Sequence, residues 1–231
     1  MLQVEELSHQ YDSSSFKLGP IDFELSSSDC VALLGENGAG KTTFFEAITG
    51  NMRPTSGKVK LDGEKMDLKR FDLKRSIGYL PQHADLPKWV SGTELLSYAN
   101  SLYNLNLNEE DIKATLKFWD ALDYSNKPIA SLSHGMQKRI GLALATIHSP
   151  KLLILDEPFS GLDIYHIKAL KELINQRKKD KKATIVCTHI APYAAELCER
   201  AYIIEAGKLE EVSKWESSDI LERISLMEER F

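Results

Sequence analysis

The octapeptide Gly35-Glu36-Asn37-Gly38-Ala39-Gly40-Lys41-Thr42 follows directly on the apolar run Val31-Ala32-Leu33-Leu34 and directly precedes a helical run, Thr43 to Ile48. Gly, four residues and Gly-Lys-Thr between a strand and a helix form a phosphate-binding loop. The glycines let the backbone wrap phosphate oxygens, and successive amide hydrogens and the helix N-terminus point at them. Lys41 is placed to reach β- and γ-phosphates and Thr42 to ligate Mg²⁺. Residues Gly35, Glu36, Asn37, Gly38, Ala39, Gly40, Lys41, Thr42 and Thr43 are therefore the expected nucleotide cradle.

Such a loop needs a mostly parallel α/β sheet around it. Two more unalternated apolar runs, Leu152 to Leu155 and Ala183 to Cys187, read as central strands buried on both faces. Leu2 to Leu7, Ile21 to Leu25 and Lys58 to Leu61 are polar-flanked and read as an antiparallel flank. Between Gln82 and Pro150 strand signals vanish. Ser91-Gly92-Thr93-Glu94 is a capping box, Asn108 precedes three acids, and Ile112, Leu116 and Trp119 share a face, as do Met136, Ile140, Ala143, Leu144 and Ile147,. The expected organisation is one domain over residues 1–231. Residues 1–84 and 151–213 form the α/β core with its antiparallel flank, 85–150 an inserted helical subdomain, and 214–231 a C-terminal amphipathic helix with Ile220, Ile224, Met227 and Phe231 on one stripe.

Composition excludes other classes. Of 231 residues, 29 are Lys or Arg and 34 are Asp or Glu; a net charge of -5 offers no field to attract nucleic acid, so no nucleic acid partner is expected. The run Arg177 to Lys182 reads as a solvated helix end whose cations complement the helix dipole. Three cysteines, Cys30, Cys187 and Cys198, fit neither a zinc site nor a disulfide framework and suit a reducing cytoplasm. No apolar run approaches the roughly 20 residues that span a bilayer, so a membrane role has to come through a partner.

Asp156 and Glu157 end the Leu152 strand, where a phosphate-loop enzyme needs a metal ligand and a group to activate water. Asp156 suits the metal and Glu157 the base. With these motifs the chain resembles the nucleotide-binding subunit of ATP-binding cassette transporters over nearly its whole length. The family's glutamine matches Gln82 in Tyr79-Leu80-Pro81-Gln82, its D-loop matches Ser160-Gly161-Leu162-Asp163, its switch histidine matches His189, and its signature matches Leu132-Ser133-His134-Gly135-Met136. Tyr11 sits where the family carries the aromatic that stacks on adenine.

The resemblance implies ATP and Mg²⁺ as cofactors, Gln82 on metal or water, His189 on the γ-phosphate and Asp163 across a dimer. It also implies a head-to-tail pair of this chain with itself or a homologous ATPase subunit. In that pair Ser133, the N-cap of its helix, and Gly135 would complete the partner's site. Separate transmembrane permease subunits would hold the chain on the cytoplasmic face of the cell membrane. His134 and Met136 depart from the usual signature glycine and glutamine; the Ser-His-Gly-Met variant resembles that of bacterial export-type cassettes. Two readings of His134 stay open, a solvent-facing ring or one that bonds phosphate when protonated. The competing function is a soluble cassette ATPase acting on a protein or nucleic acid machine; repair types carry long coiled-coil insertions and translation types two cassettes, and this chain has neither.

Overall fold

Leu2–Gln10 (β1) and Lys17–Leu25 (β2) pair antiparallel, with Leu2 opposite Leu25 and Val4 opposite Phe23. Apolar residues alternate with polar ones along β2, so Leu18, Ile21, Phe23 and Leu25 are buried together on one face,. The computed structural model describes residues 1–11, 16–83 and 85–228. Cys30–Leu34 (β3) is buried at every position: Cys30, Ala32 and Leu34 pack on one side, Val31 and Leu33 on the other. That is why its sequence does not alternate. The chain then passes through the loop 35–40 into Lys41–Ile48 (α1). Ser56–Leu61 (β4) and Glu64–Lys65 (β5) complete a four-stranded flank of order β2-β1-β4-β5.

After the single turn Phe71–Lys74 (α2), Ile77–Leu80 (β6) enters the second sheet. Three helices follow: Gly92–Tyr103 (α3), Glu109–Phe118 (α4) and His134–Thr146 (α5). The expected starts of the first two are found, each with a complete capping box, Ser91 with Glu94 and Asn108 with Asp111,. The chain returns to the sheet in Leu152–Asp156 (β7), crosses Ile164–Lys179 (α6), and runs through Ala183–Cys187 (β8), Ala191–Leu197 (α7), Arg200–Glu205 (β9) and Lys208–Glu211 (β10) to Ile220–Glu228 (α8). The six-stranded sheet has the order β10-β9-β3-β8-β7-β6, parallel throughout except at β10.

Two cores result. Helix α1, through Phe44, Phe45, Ala47 and Ile48, fills the space between the flank and one face of the parallel sheet; Phe23 meets Phe44 edge-on at 5.7 Å,. The other face, Leu153, Leu155 and Val186, carries the helices, with Trp119, Ile140 and Leu142 at their centre. Leu33 pairs with Cys187 and Cys187 with Asp156. The register brings the carboxyl ends of β3, β8 and β7 to one edge, where a doubly wound sheet presents its ligand site.

Two expectations from sequence are corrected. The run 177–182 closes α6 with cations as expected but is solvated only in part: Arg177 is 4% exposed, and its guanidinium donates to the Thr184 hydroxyl at 3.1 Å and to the Pro150 and Ala183 carbonyls at 3.0 and 2.7 Å. Burial lowers its pKa to about 10. The neighbouring Lys178 reaches the Leu197 carbonyl and Glu199. Arg177 pins the end of α6 to β8, Lys178 ties it to the end of α7, and Lys182 donates to the Ser149 hydroxyl at 2.6 Å, while Lys179 and Lys181 are exposed. At the C-terminus the helix begins at Ile220; Trp215 precedes it, buried, its indole N–H donating to the Cys198 carbonyl at 3.0 Å. Met227 is buried and Ile220 half exposed, while Phe231 lies outside the described residues. No described helix is long and apolar enough to cross a membrane.

Candidate functional site

The loop after β3 is shaped by its glycines. Gly35 has φ +156°, and a side chain there would drive into the Ile204 carbonyl of β9. Gly40 has φ +115° and is the N-cap of α1, with no side-chain hydrogen bond to the first turn. The amides that open α1 thus have no capping side chain, the arrangement that receives an anion. Lys41 Nζ donates to the Gly35 and Glu36 carbonyls at 2.6 and 2.9 Å, lying along the loop it follows. Ala39 N–H bonds Glu36 at 3.2 Å, and the Gly207 amide supports the Ala39 carbonyl at 3.0 Å.

Asp156, the last residue of β7, is 3% exposed, and its Oδ1 has no hydrogen-bond partner. Burial pushes its carboxyl up, against the Cys187 thiol, the Lys41 charge and the Gln82 amide, which favour the anion. A buried anionic oxygen without a donor fits a cation ligand. Lys41, Thr42, Thr43, Gln82 and Asp156 line one cavity together with Asn37, Gly38 and Gly40. The donor set there, carboxylate, hydroxyl and amide oxygens, is the hard-oxygen kind that Mg²⁺ takes.

Glu157 stands in the left-handed region, φ +49°, immediately before Pro158. Its amide bonds the Cys187 carbonyl at 2.8 Å, and its Oε1 accepts from the His189 amide at 3.1 Å. The His189 ring, mostly exposed, brings Nδ1 to 2.8 Å from Oε2, a close contact without an aligned hydrogen bond. Glu157, His189, Gln82, Lys41, Gly35, Glu36 and Asn37 face one open cleft. The structure therefore gathers residues separated by more than 150 positions in sequence around the loop.

Tyr11 lies beside this cradle: its hydroxyl is 3.3 Å from the Thr43 hydroxyl, and its half-exposed ring stands edge-on to His9 at 4.6 Å. Ser133 and Gly135 do not line the cleft or the adjoining cavity. Ser133 caps α5, its Oγ accepting from the Met136 amide at 3.3 Å. At Gly135 an added Cβ would lie 2.8 Å from the Gly161 carbonyl, so only glycine lets the start of α5 rest on the 160–163 loop. His134 has ordinary helical backbone and its ring is 6.5 Å from that of His83. The Asp163 carboxylate serves its own chain, capping α6 through the Tyr165 and His166 amides at 3.0 and 3.1 Å and bonding His166 Nδ1 at 2.6 Å. Those contacts hold its pKa down.

One residue at the site escapes the motif reading. Lys138 is buried, with Nζ 2.6 Å from the Glu157 carbonyl and 2.9 Å from that of Ser160. The signal was available: Lys138 falls on the same helical stripe as Gly141, Leu142 and Ala145, all buried,.

Residues 18–160 match the family model described as ABC transporter. The chain is 37% identical over 211 residues to the uncharacterized ABC transporter ATP-binding protein YxlF of Bacillus subtilis, covering 90% of this chain and 69% of that protein. It spans about two thirds of the length of such curated relatives, 69, 63 and 65% for three of them. A solved ATP-binding subunit of an ABC transporter superposes with a TM-score of 0.85 at 26% identity, over 99% of both chains. The cassette MJ0796, solved as a dimer in a post-hydrolysis state with ADP and Pi, shares the fold at a TM-score of 0.82 and 22% identity, over 91% of this chain and 98% of that one. The phosphate loop, the parallel sheet with its antiparallel flank and inserted helices, and these likenesses agree: the chain belongs to the ABC transporter family, as one of its ATP-binding cassettes.

Proposed function

We propose that this cassette hydrolyses ATP to drive a substrate through separate transmembrane permease subunits, working as a head-to-tail pair with a second copy or a homologous ATPase subunit. The observation that carries the reading is the convergence of Lys41, Gln82, Glu157 and His189 on one cleft, with Asp156 in the adjoining cavity that Lys41 and Gln82 share, neither of them lined by Ser133 and Gly135 of the same chain. A signature turned away from its own nucleotide cradle is completed by pairing, and the MJ0796 cassette was solved as a dimer.

In this reading the amides of Gly35 to Thr43 and the Lys41 ammonium hold the phosphates, and the Tyr11 ring stacks on the base. Thr42, Asp156 and Gln82 would hold Mg²⁺, which would supply charge neutralisation at the phosphates. Glu157 takes a proton from water as the water oxygen bonds to the γ-phosphorus and the bond to the β-bridging oxygen breaks. His189, steered by Glu157, donates to the γ-phosphate, while the partner's signature offers the Ser133 hydroxyl and Gly135 amide. The groove between Gln82 and the Ser91 cap of α3, with Leu86, Pro87 and Trp89, the last 83% exposed, receives a cytoplasmic helix of the permease,. Export is the direction we favour, on the Ser-His-Gly-Met signature; the location is the cytoplasmic face of the membrane, through the permease. The test is a pair of variants: Lys41→Ala should lose ATP binding, whereas Glu157→Gln should bind ATP, accumulate as a dimer and hydrolyse about 10²–10⁴-fold more slowly. Wild-type turnover by Glu157→Gln removes that residue from the mechanism.

A further inference from the structure

Glu157 holds an uncomfortable backbone conformation. A non-glycine residue at φ +49° is disfavoured, and a residue before proline is restricted towards extended structure,. It is held from three sides. Its amide is tied to the end of β8 through Cys187 and its carboxylate to the His189 amide in the loop that follows β8. The third tie comes from the helical subdomain, where Lys138 on α5 donates to its carbonyl at 2.6 Å and continues to Ser160 at 2.9 Å.

This lysine is costly to bury. It is 4% exposed and makes no ion pair with a carboxylate among the described residues, so its charge is met by backbone carbonyls and by the more distant field of Glu157 and Asp156. Burial lowers its pKa accordingly,. A lysine whose purpose was to fill space would be outdone by an apolar residue of similar volume; two carbonyl contacts at the turn 157–160 give the ammonium a different purpose.

We propose that Lys138 is a positioning residue, which fixes the left-handed turn at Glu157 and so aims its carboxylate into the cleft, making the catalytic geometry depend on where α5 stands. α5 begins at the Ser133 cap, about one and a half turns before Lys138,. A shift of its signature end is therefore passed rigidly to the Glu157 peptide of the same chain. The inference rests on the reading of Glu157 as the group that activates water.

The experiment compares full-length wild type, Lys138→Met, Lys138→Gln, Glu157→Gln and the double variant Lys138→Met/Glu157→Gln, with MgATP. Lys138→Met keeps the length of the side chain and removes its donors. It should lower kcat about tenfold or more while ATP affinity stays within about twofold, since Lys138 does not line the cleft,. Lys138→Gln, whose amide can donate to one of the carbonyls, should recover part of kcat and takes over the comparison if the Met variant does not fold. On the Glu157→Gln background the Lys138→Met change should add no further loss, because it acts through that carboxylate. Wild-type kcat in Lys138→Met beside a slow Glu157→Gln overturns the proposal alone, as does an equal loss on both backgrounds or a loss of ATP affinity in step with kcat in both Lys138 variants. Wild-type turnover in Glu157→Gln instead overturns the reading on which it rests.

Discussion

Asp156→Asn should make the nucleotide-free protein more stable while ending its response to Mg²⁺. Asp156 is 3% exposed and leaves Oδ1 without a donor, so in the folded chain an ionised carboxylate is desolvated and only partly compensated. An unsatisfied buried polar group costs roughly 1–3 kcal/mol, more when charged. Lys41, the Cys187 thiol and the Gln82 amide offset part of this, which argues for the lower half, about 1–2 kcal/mol,. For a chain of this size that corresponds to a rise in Tm of roughly 2–8 °C. The pH dependence has a definite sign. Because burial raises the folded pKa above the ordinary 3.8, the unfolded chain ionises first as pH rises and wild-type stability falls through the window up to the folded pKa,. The advantage of the Asn variant should therefore be full at neutral pH and shrink as pH is lowered towards the ordinary carboxylate range. Thermal melts across that range, with and without MgATP, read both effects: MgATP should raise the wild-type Tm and leave Asp156→Asn nearly unmoved. An Asn variant that melts at or below wild type at neutral pH, or whose advantage grows on acidification, refutes the reasoning.

The basic run and the exposed Trp89 before α3 give two further predictions. Arg177→Ala strips donors from the Thr184 hydroxyl and the Pro150 and Ala183 carbonyls and should cost about 3 kcal/mol or more in denaturant unfolding, whereas exposed Lys179→Ala should stay within about 0.5 kcal/mol,. Trp89→Ala, at a side chain 83% exposed, should leave Tm unchanged but reduce recovery of the protein with the membrane fraction; undiminished recovery would remove Trp89 from the permease-binding face,.

The sequence by itself determined the parts that are local. Gly35 to Thr42 between an apolar strand and a helix needs only backbone stereochemistry and amide direction, and the structure has the positive φ angles and the uncapped helix start that the pattern demands,. The capping boxes at Ser91 and Asn108 are equally local, three residues answering one another,. Buried central strands are legible because both their faces must be apolar,. Tertiary structure decided what depends on distant chain segments. Arg177 reads as one of a row of solvated cations until the Ala183 and Pro150 carbonyls, from β8 and the approach to β7, close on it. Lys138 shares a helical stripe with Gly141, Leu142 and Ala145 in the sequence, but its acceptors, the Glu157 and Ser160 carbonyls, are set only when the turn after β7 is folded beneath α5. In each case the deciding partner is a backbone or side-chain acceptor presented by another element, and the burial that makes the contact obligatory exists only once the chain has packed.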